Sequence, residues 1–452
     1  MNTRRSFLKQ TSAAAAAFGF PTIIPAKVLG ADAPSNKITM ASFGWGMQGP
    51  SNTAKFANEP DCKVLAVCDI DKKHLEAGVN VVNKHYKNTD CKGYHDYQEV
   101  LARKDIDAVM LALPDNWHAL VATEAARQGK DIWGEKPLAR TNAEQQAIVR
   151  AVQKHGRIWQ TGSWQRSEKN FRIGAEVVAN GLIGKLQRVE VGLPSGHADF
   201  AGTKDKTQIT PPPPELDYQR WIGPAAMEDY IEARIHKNWR WNYNIGGGQL
   251  LDWIGHHCDI AHWGMNADRS GPVEVKPIQV DLPPRTDVWN TATKYRAEAT
   301  YADGVVMTIA GGHAEIKMGT KWIGSKGYVW VNRGGAYETD IEGLGEIITK
   351  REGDKVVQGR KLPELGDDVI KTRLYDSGGH WRNFLDCIKS RKPTVTPVET
   401  AHCSAIPGHL ALIAFMTNST IKWDPVKEVI VGNDAASKLL SRDYLNGWKL
   451  EA

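Results

Sequence analysis

Two rhythms of apolar residues divide the chain. Between residues 37 and 162, short apolar runs at 38–43, 63–68, 106–113, 131–134 and 158–162 alternate with helical stretches at 47–58, 72–86, 118–128 and 142–155. The run at 106–113 is continuous, as expected of a strand covered on both faces. Gly129 supplies a stop for the Ala-rich helix before it. Short βα units in this order predict an α/β domain with a parallel, doubly wound sheet.

Past residue 165 the rhythm changes. A helix is predicted at 171–180, and strands at 186–193, 273–282, 292–301, 305–310 and 328–332 are parted by Gly and Asp turns. Long strands with few helices predict an α+β domain with a mostly antiparallel sheet. The prolines at 211–214 mark an ordered surface excursion or linker. A helix at 380–390 and the apolar stretch 405–416 are expected to carry the chain back toward the first domain.

Composition refines this picture at the N-terminus. Arg4 and Arg5 precede an uncharged, Ala-rich stretch, and Ala31-Asp32-Ala33 offers a small-x-small cleavage site. Charge, apolar run and cleavage site in that order read as a twin-arginine export signal over 1–33, placing the mature protein in the periplasm or outside the cell. The run is too short and too broken by Gly19, Pro21 and Pro25 to span a bilayer. Of the net charge of +5, the leader carries +3, and no long basic run follows, so neither nucleic acid nor membrane insertion is expected. Six cysteines show no CxxC pair, and Cys62, Cys68, Cys258 and Cys387 lie in apolar patterns that suit buried thiols.

Gly44-Trp45-Gly46-Met47-Gln48-Gly49 fits G-x-G-x-x-G between the first strand and first helix, with Asp69 closing the second strand. The first glycine turns the chain, the second admits a pyrophosphate, and the third lets helix pack on strand. The helix N-terminus then offers N–H groups to phosphate. Asp69 suits the ribose hydroxyls of NAD(H), while Lys72 and Lys73 keep NADP(H) open. Leu113, Pro114, Asn116 and His118 follow the third strand, and Glu135-Lys136-Pro137 follows the next, both at the carboxyl edge where such sheets bind ligands. The Lys136–Pro137 bond can be cis.

These motifs resemble the glucose–fructose oxidoreductase / inositol dehydrogenase (Gfo/Idh/MocA) family. Trp239-Arg240-Trp241, Gly246-Gly247-Gly248 and the stretch from Asp252 to Asp259 are similar to its second-domain motif. The resemblance implies a Rossmann domain over 34–163 and an α+β domain with an open-faced sheet over 164–391 for substrate binding and homo-oligomerisation as a dimer or tetramer. Residues 392–452 would then pack back on the Rossmann domain. It also implies a catalytic trio of Lys136, Asp252 and His256 acting on a carbohydrate or polyol.

Asp252 and His256 stand at i and i+4, so on a helix they share a face, with Asp252 placed to hold or tune the imidazole. Gln165, Arg166, Arg240, Tyr243, His256 and His257 are candidates for hydroxyl binding, and Trp164, Trp239, Trp241, Trp253 and Trp263 for sugar stacking or core packing. His256, His257, Asp259 and His262 do not follow a closed metal-site spacing, so no metal is expected; Asp259 reads as a support for the histidine. Three functions fit: net oxidation with a resident cofactor; a redox-neutral glycosidase or epimerase passing through a keto sugar, with Tyr243 as candidate acid/base; and a non-catalytic sugar or nucleotide sensor.

Overall fold

The computed structural model describes residues 37–352 and 355–451, with backbone alone over 346–361; the leader expected at 1–33 lies outside the described residues. The first domain runs β1 (Ile38–Phe43), α1 (Gly49–Ala57), β2 (Cys62–Cys68), α2 (Lys72–Tyr86), β3 (Lys92–Tyr94), α3 (Tyr97–Leu101), β4 (Ala108–Leu111), α4 (His118–Arg127), β5 (Asp131–Gly134), α5 (Asn142–Lys154) and β6 (Trp159–Thr161). Its six strands are parallel in the order β3-β2-β1-β4-β5-β6. Local chemistry fixes the helix starts. Asp71 accepts from the Lys73 and His74 N–H groups at the head of α2, and Thr141 and Glu144 form a reciprocal capping box on α5.

The second domain contains α6 (Lys169–Ala179), β7 (Leu186–Leu193), α7 (Tyr218–Ile222), α8 (Gly248–Met265), β8 (Glu274–Asp281), β9 (Lys294–Thr300), β10 (Val306–Gly311), β11 (Gly319–Gly324), β12 (Gly327–Asn332) and β13 (Ala336–Thr339). It is followed by a hairpin of β14 (Glu346–Glu352) and β15 (Lys355–Lys361), then α9 (His380–Ser390), α10 (Val398–Thr417), β16 (Ile421–Asp424) and β17 (Val429–Ile430). Nine strands form one sheet in the order β13-β12-β11-β7-β10-β9-β8-β16-β17. β7 and β10 are parallel and the other pairs antiparallel. On β9, Tyr295, Ala297 and Ala299 are buried while Lys294, Arg296, Glu298 and Thr300 alternate with them half-buried. The inner face carries α6, α8 and α10 in one apolar core; the outer face is polar and open.

Residues 392–452, expected to pack back on the first domain, divide between the two domains. α10 is apolar around its circumference and requires cover on every side. Most of it lies in the second domain's core, and it crosses α8 so closely that a Cβ on Gly408 would sit 2.6 Å from Ile254 Cγ1. β16 pairs with β8 in the second sheet. The return is made by α9, whose Phe384 and Leu385 pack with Ile38, Met40 and Phe56, by Val398 and Ala401 at the head of α10, and by Tyr444, Trp448 and Leu450.

A strap formed by residues 206–241 leaves the second domain between β7 and α8 and crosses back over the first. The Lys72 N–H donates to the Glu215 carbonyl (2.9 Å), and the Asp217 N–H to that of Ile70 (3.2 Å). Arg220 pairs with Asp96 at 3.1 Å, and His95 with Asp217 at 2.9 Å. Among the described residues no helix is long and apolar enough to cross a membrane. All six cysteines are free thiols, with Cys62, Cys68, Cys258 and Cys387 buried.

Candidate active site

The Gly44–Gly49 loop turns sharply over the ends of β1 and β4. Gly44 has φ +83°, and a Cβ there would lie 2.3 Å from the Ala112 carbonyl oxygen; on Gly49 it would lie 1.9 Å from that of Gly44. Gly46 faces open space instead. The loop is therefore closed against the protein at its two ends and open in the middle, the shape that a pyrophosphate needs. Pro50 at the first turn of α1 leaves the helix-start N–H groups uncapped by any side chain.

Asp69 accepts from the Trp45 N–H (2.7 Å) and the Asp71 N–H (2.9 Å), which fixes its carboxylate at the crevice edge. Gly44, Gly46, Met47, Gln48, Asp69, Leu113, Pro114, Glu135 and Lys136 all line one crevice. Trp45 contributes its backbone, its indole being buried over Gly78. Lys72 and Lys73 are turned to Glu76 and Glu215.

Asn116 and His118, expected at the cofactor, are buried behind the crevice wall. The Asn116 side-chain N–H donates to the Ile222 carbonyl at 2.8 Å, and the His118 ring lies between the carbonyls of Leu113 (3.0 Å) and Pro137 (2.8 Å). The Asn116 side-chain N–H and the two His118 ring nitrogens thus join loops, while Asn116 Oδ1 is buried without a partner.

The Lys136–Pro137 peptide is cis. Lys136 lies directly under α8: a Cβ on Gly255 would stand 2.9 Å from Lys136 Cβ. Its ammonium donates to the Asp252 carbonyl (2.7 Å) and to Asp252 Oδ1 (3.0 Å), and Arg240 Nε donates to the same Oδ1 (2.9 Å). Burial works against the Asp252 charge, but Lys136 and Arg240 together hold its carboxyl down at about 2.

His256 sits one turn on, 4% exposed, edge-on to Trp253 and Trp164. Asp252 does not hold it, as had been expected from their spacing, because Lys136 and Arg240 occupy that carboxylate. The His256 Nδ1 is buried without a partner, which leaves Nε2 as the accessible nitrogen. Burial foremost, then the charges of Lys136 and Arg333, push protonation of His256 well below the usual imidazole range.

Other expected substrate groups fall elsewhere. Arg166 is 2% exposed and forked onto Asp259 and Asp268, with contacts of 2.7–3.1 Å, so its donors are spent inside the fold. That pairing also removes Asp259 from the supporting role expected beside His256. Gln165 and His257 are fully buried and face each other at 3.2 Å. Tyr243 donates its hydroxyl to Met416 Sδ and is stacked under Arg140 and Arg285. Trp241 and Trp263 are buried core residues, Trp239 packs in a small core while one edge lines the crevice, and Trp164 and Trp253 are half-buried beside His256. His262 turns to the Tyr301 hydroxyl (2.6 Å), so the histidines of α8 diverge. Among the described residues the metal-ligating side chains that converge are Asp71, His74 and His236, near Asp69.

Sequence reasoning missed three features. The strap supplies Arg220, Trp221, His236 and Lys237 to the crevice, beside the expected Trp239 and Arg240. Asp115 is buried near Asp252, and burial followed by that charge raises its carboxyl to about 7. Arg333 reaches Trp164 and Trp253 from the β12–β13 turn. Only Asp115 stood within a motif already singled out; the others have no local signal.

Comparison with known proteins follows this division. Residues 38–163 match the model described as "Oxidoreductase family, NAD-binding Rossmann fold", and residues 169–355 that of its "C-terminal alpha/beta domain". The chain is 32% identical over 144 residues to the inositol 2-dehydrogenase of Salmonella typhimurium, covering 31% of this chain and 41% of that one. It is 30% identical over 179 residues to glycosyl hydrolase family 109 protein 4 of Phocaeicola vulgatus, covering 38% and 34%. The matched region thus spans less than half the length of these curated relatives. The fold resembles that of the WlbA dehydrogenase from Bordetella pertussis, solved with NADH and UDP-GlcNAcA: TM-score 0.60, 17% identity, 86% of this chain and 98% of that one.

Proposed function

Because the chain belongs to the Gfo/Idh/MocA oxidoreductase family, we propose that it oxidises a hydroxyl of a sugar, glycoside or polyol with a tightly held NAD(H). The observation that carries this reading is that Lys136, which lines the crevice beginning at the Gly44–Gly49 loop, is bonded to Asp252 and acts by its charge on His256 one helical turn further along α8. Overall, a secondary alcohol and NAD+ become a ketone, NADH and a proton. The nicotinamide, when bound, supplies the hydride acceptor.

The residues account for the rest. An ammonium has three donors; Asp252 takes two from Lys136, and the third is free for the reacting oxygen, where it stabilises negative charge as the proton departs. Neutral His256 receives that proton at Nε2. Asp252, kept anionic, fixes the position of the Lys136 side chain at the end of the crevice. Asp69 suits the two ribose hydroxyls, and its charge together with the diversion of Lys72 and Lys73 to Glu76 and Glu215 supports NAD over NADP. The strap that covers the adenosine side supports a cofactor that stays bound. Such retention fits a protein exported by the twin-arginine route, and the open polar sheet face suits a homo-oligomer interface.

The likeness to a family 109 glycosyl hydrolase favours a second reading, in which hydride is returned after glycoside elimination. Tyr243, the candidate acid/base for that chemistry, is turned away to Met416, which weighs toward net oxidation. The test is release of nucleotide on denaturation, followed by single-turnover reduction of the bound cofactor by a glycoside panel. Lys136→Ala should keep the nucleotide and lose reduction by at least about 100-fold. A protein that neither contains nor binds nucleotide would sink the proposal.

A further inference from the structure

Arg333 stands out among the charged groups around His256. Its guanidinium lies over the Trp253 ring at 4.2 Å and the Trp164 ring at 4.9 Å, and those rings are the two that meet His256 edge-on. Its Nε is buried with no hydrogen-bond partner, and among the described residues no carboxylate pairs with it. The nearby carboxylate whose field it feels is Asp252, already bonded to Lys136 and Arg240. Glu135 is likewise engaged, by the Asn52 side chain (2.9 Å) and the Lys136 N–H (3.3 Å). Lys136, Arg240 and Arg333 therefore gather around Asp252 beside His256. The other carboxyl near them, Asp115, is raised to about 7 by burial, and Arg333 is not among the groups that act on it.

The position is also prepared. Asn170 donates to the carbonyls of Asn332 and Ala336 (2.8 Å each), pinning both ends of the turn to α6, and the Asn332 side chain accepts from the Arg333 N–H. A planar fork held in place between two rings keeps its donors for an oxyanion, which it binds more strongly than a neutral acceptor.

We propose that this crevice takes an anionic sugar, a uronate or a sugar ester of sulfate or phosphate, with Arg333 as the group that receives its oxyanion. The inference rests on the sugar-oxidoreductase reading for the class of ligand, and it names a specificity residue that no motif marks. Trp164 and Trp253 brace the guanidinium and bound the sugar's place beside His256.

Calorimetric titration of the cofactor-loaded protein tests it, using sodium glucuronate and galacturonate against their uncharged amides, and glucose 6-sulfate and glucose 6-phosphate against glucose. At least one acid or ester should bind about ten-fold or more tightly than its neutral counterpart; which arm shows the preference identifies the oxyanion. Arg333→Met should bring that ratio to within about two-fold, while Arg333→Lys, which restores the charge without the fork, should retain part of it. Equal binding of acid and amide, no binding of any anionic probe, or a ratio that survives Arg333→Met overturns the inference. Reduction of the bound cofactor, recorded in the same samples, separates the two readings. An Arg333-dependent preference without any reduction would keep the anion subsite and remove the redox function; reduction by neutral sugars alone would do the reverse.

Discussion

Replacing Arg166 by methionine asks whether this arginine serves substrate or scaffold. Arg166 is 2% exposed and Asp259 1%, and their bidentate pair is extended by Asp268, which is 32% exposed. Methionine fills much of the same volume but leaves Asp259 as an uncompensated buried carboxylate that must take up a proton or admit water. Stranding one partner of a buried pair costs about 3–5 kcal/mol; Asp268 recovers solvent and adds little. At about 2–4 °C per kcal/mol for a domain of this size, the second domain's thermal transition should fall by roughly 6–20 °C. Calorimetry at neutral pH reads this directly. Adding Asp259→Asn should restore more than half of the loss, since the stranded charge is then gone. A melting temperature within about 2 °C of wild type, coupled to lost sugar binding, would refute the reasoning and return Arg166 to the substrate site.

Acid should unfold the protein early. His257 and His409 are depressed to about 3, and His262 and His380 to about 4, by burial. Each is neutral when folded but titrates near 6.5 when unfolded, so the unfolded chain binds more protons below that value and stability falls as pH drops from 6.5 toward the folded values. Each costs about 2 kcal/mol between pH 7 and 5. Asp115, raised to about 7, opposes them by about 2 kcal/mol because it takes its proton in the folded state first. The net loss of roughly 6 kcal/mol should lower the urea midpoint sharply at pH 5; an unchanged midpoint would show that these rings are not buried as neutral groups. Gly255→Ala should act on turnover more than on stability: overpacking against Lys136 costs about 1–3 kcal/mol, and alanine's helix preference returns about 1. A displacement of Lys136 on the order of 1 Å should reduce single-turnover reduction about 100-fold with nucleotide content unchanged, and wild-type turnover would argue against the proposed role of Lys136.

What could be read from sequence was what is local. The Gly44–Gly49 loop, Asp69 and the Glu135-Lys136-Pro137 turn lie within single βα units, where strand, turn and helix signals reinforce one another. β3 escaped notice because Lys92, Gly93 and Tyr94 are not buried and carry no apolar pattern. Arg166 was misread since its partners lie 93 and 102 positions away, and a charged residue beside tryptophans looks like a surface group until those carboxylates are placed. The spacing of Asp252 and His256 correctly put them one helical turn apart, but it could not reveal that Lys136, 116 positions earlier, would claim the aspartate. Arg333 and the strap are brought in by sheet topology, which no local pattern encodes.

The strap has a mechanical consequence. Many two-domain binding proteins open by swinging one lobe about a linker on one side of the ligand. Here the lobes are fastened at two separate places: by the strap's backbone bonds to Ile70 and Lys72, and by α10, whose first turn sits in one core while most of the rest lies in the other. A swing of one lobe against the other would therefore have to break the strap's bonds and pull α10 from one of its two cores, so opening the crevice at the strap alone is the smaller change.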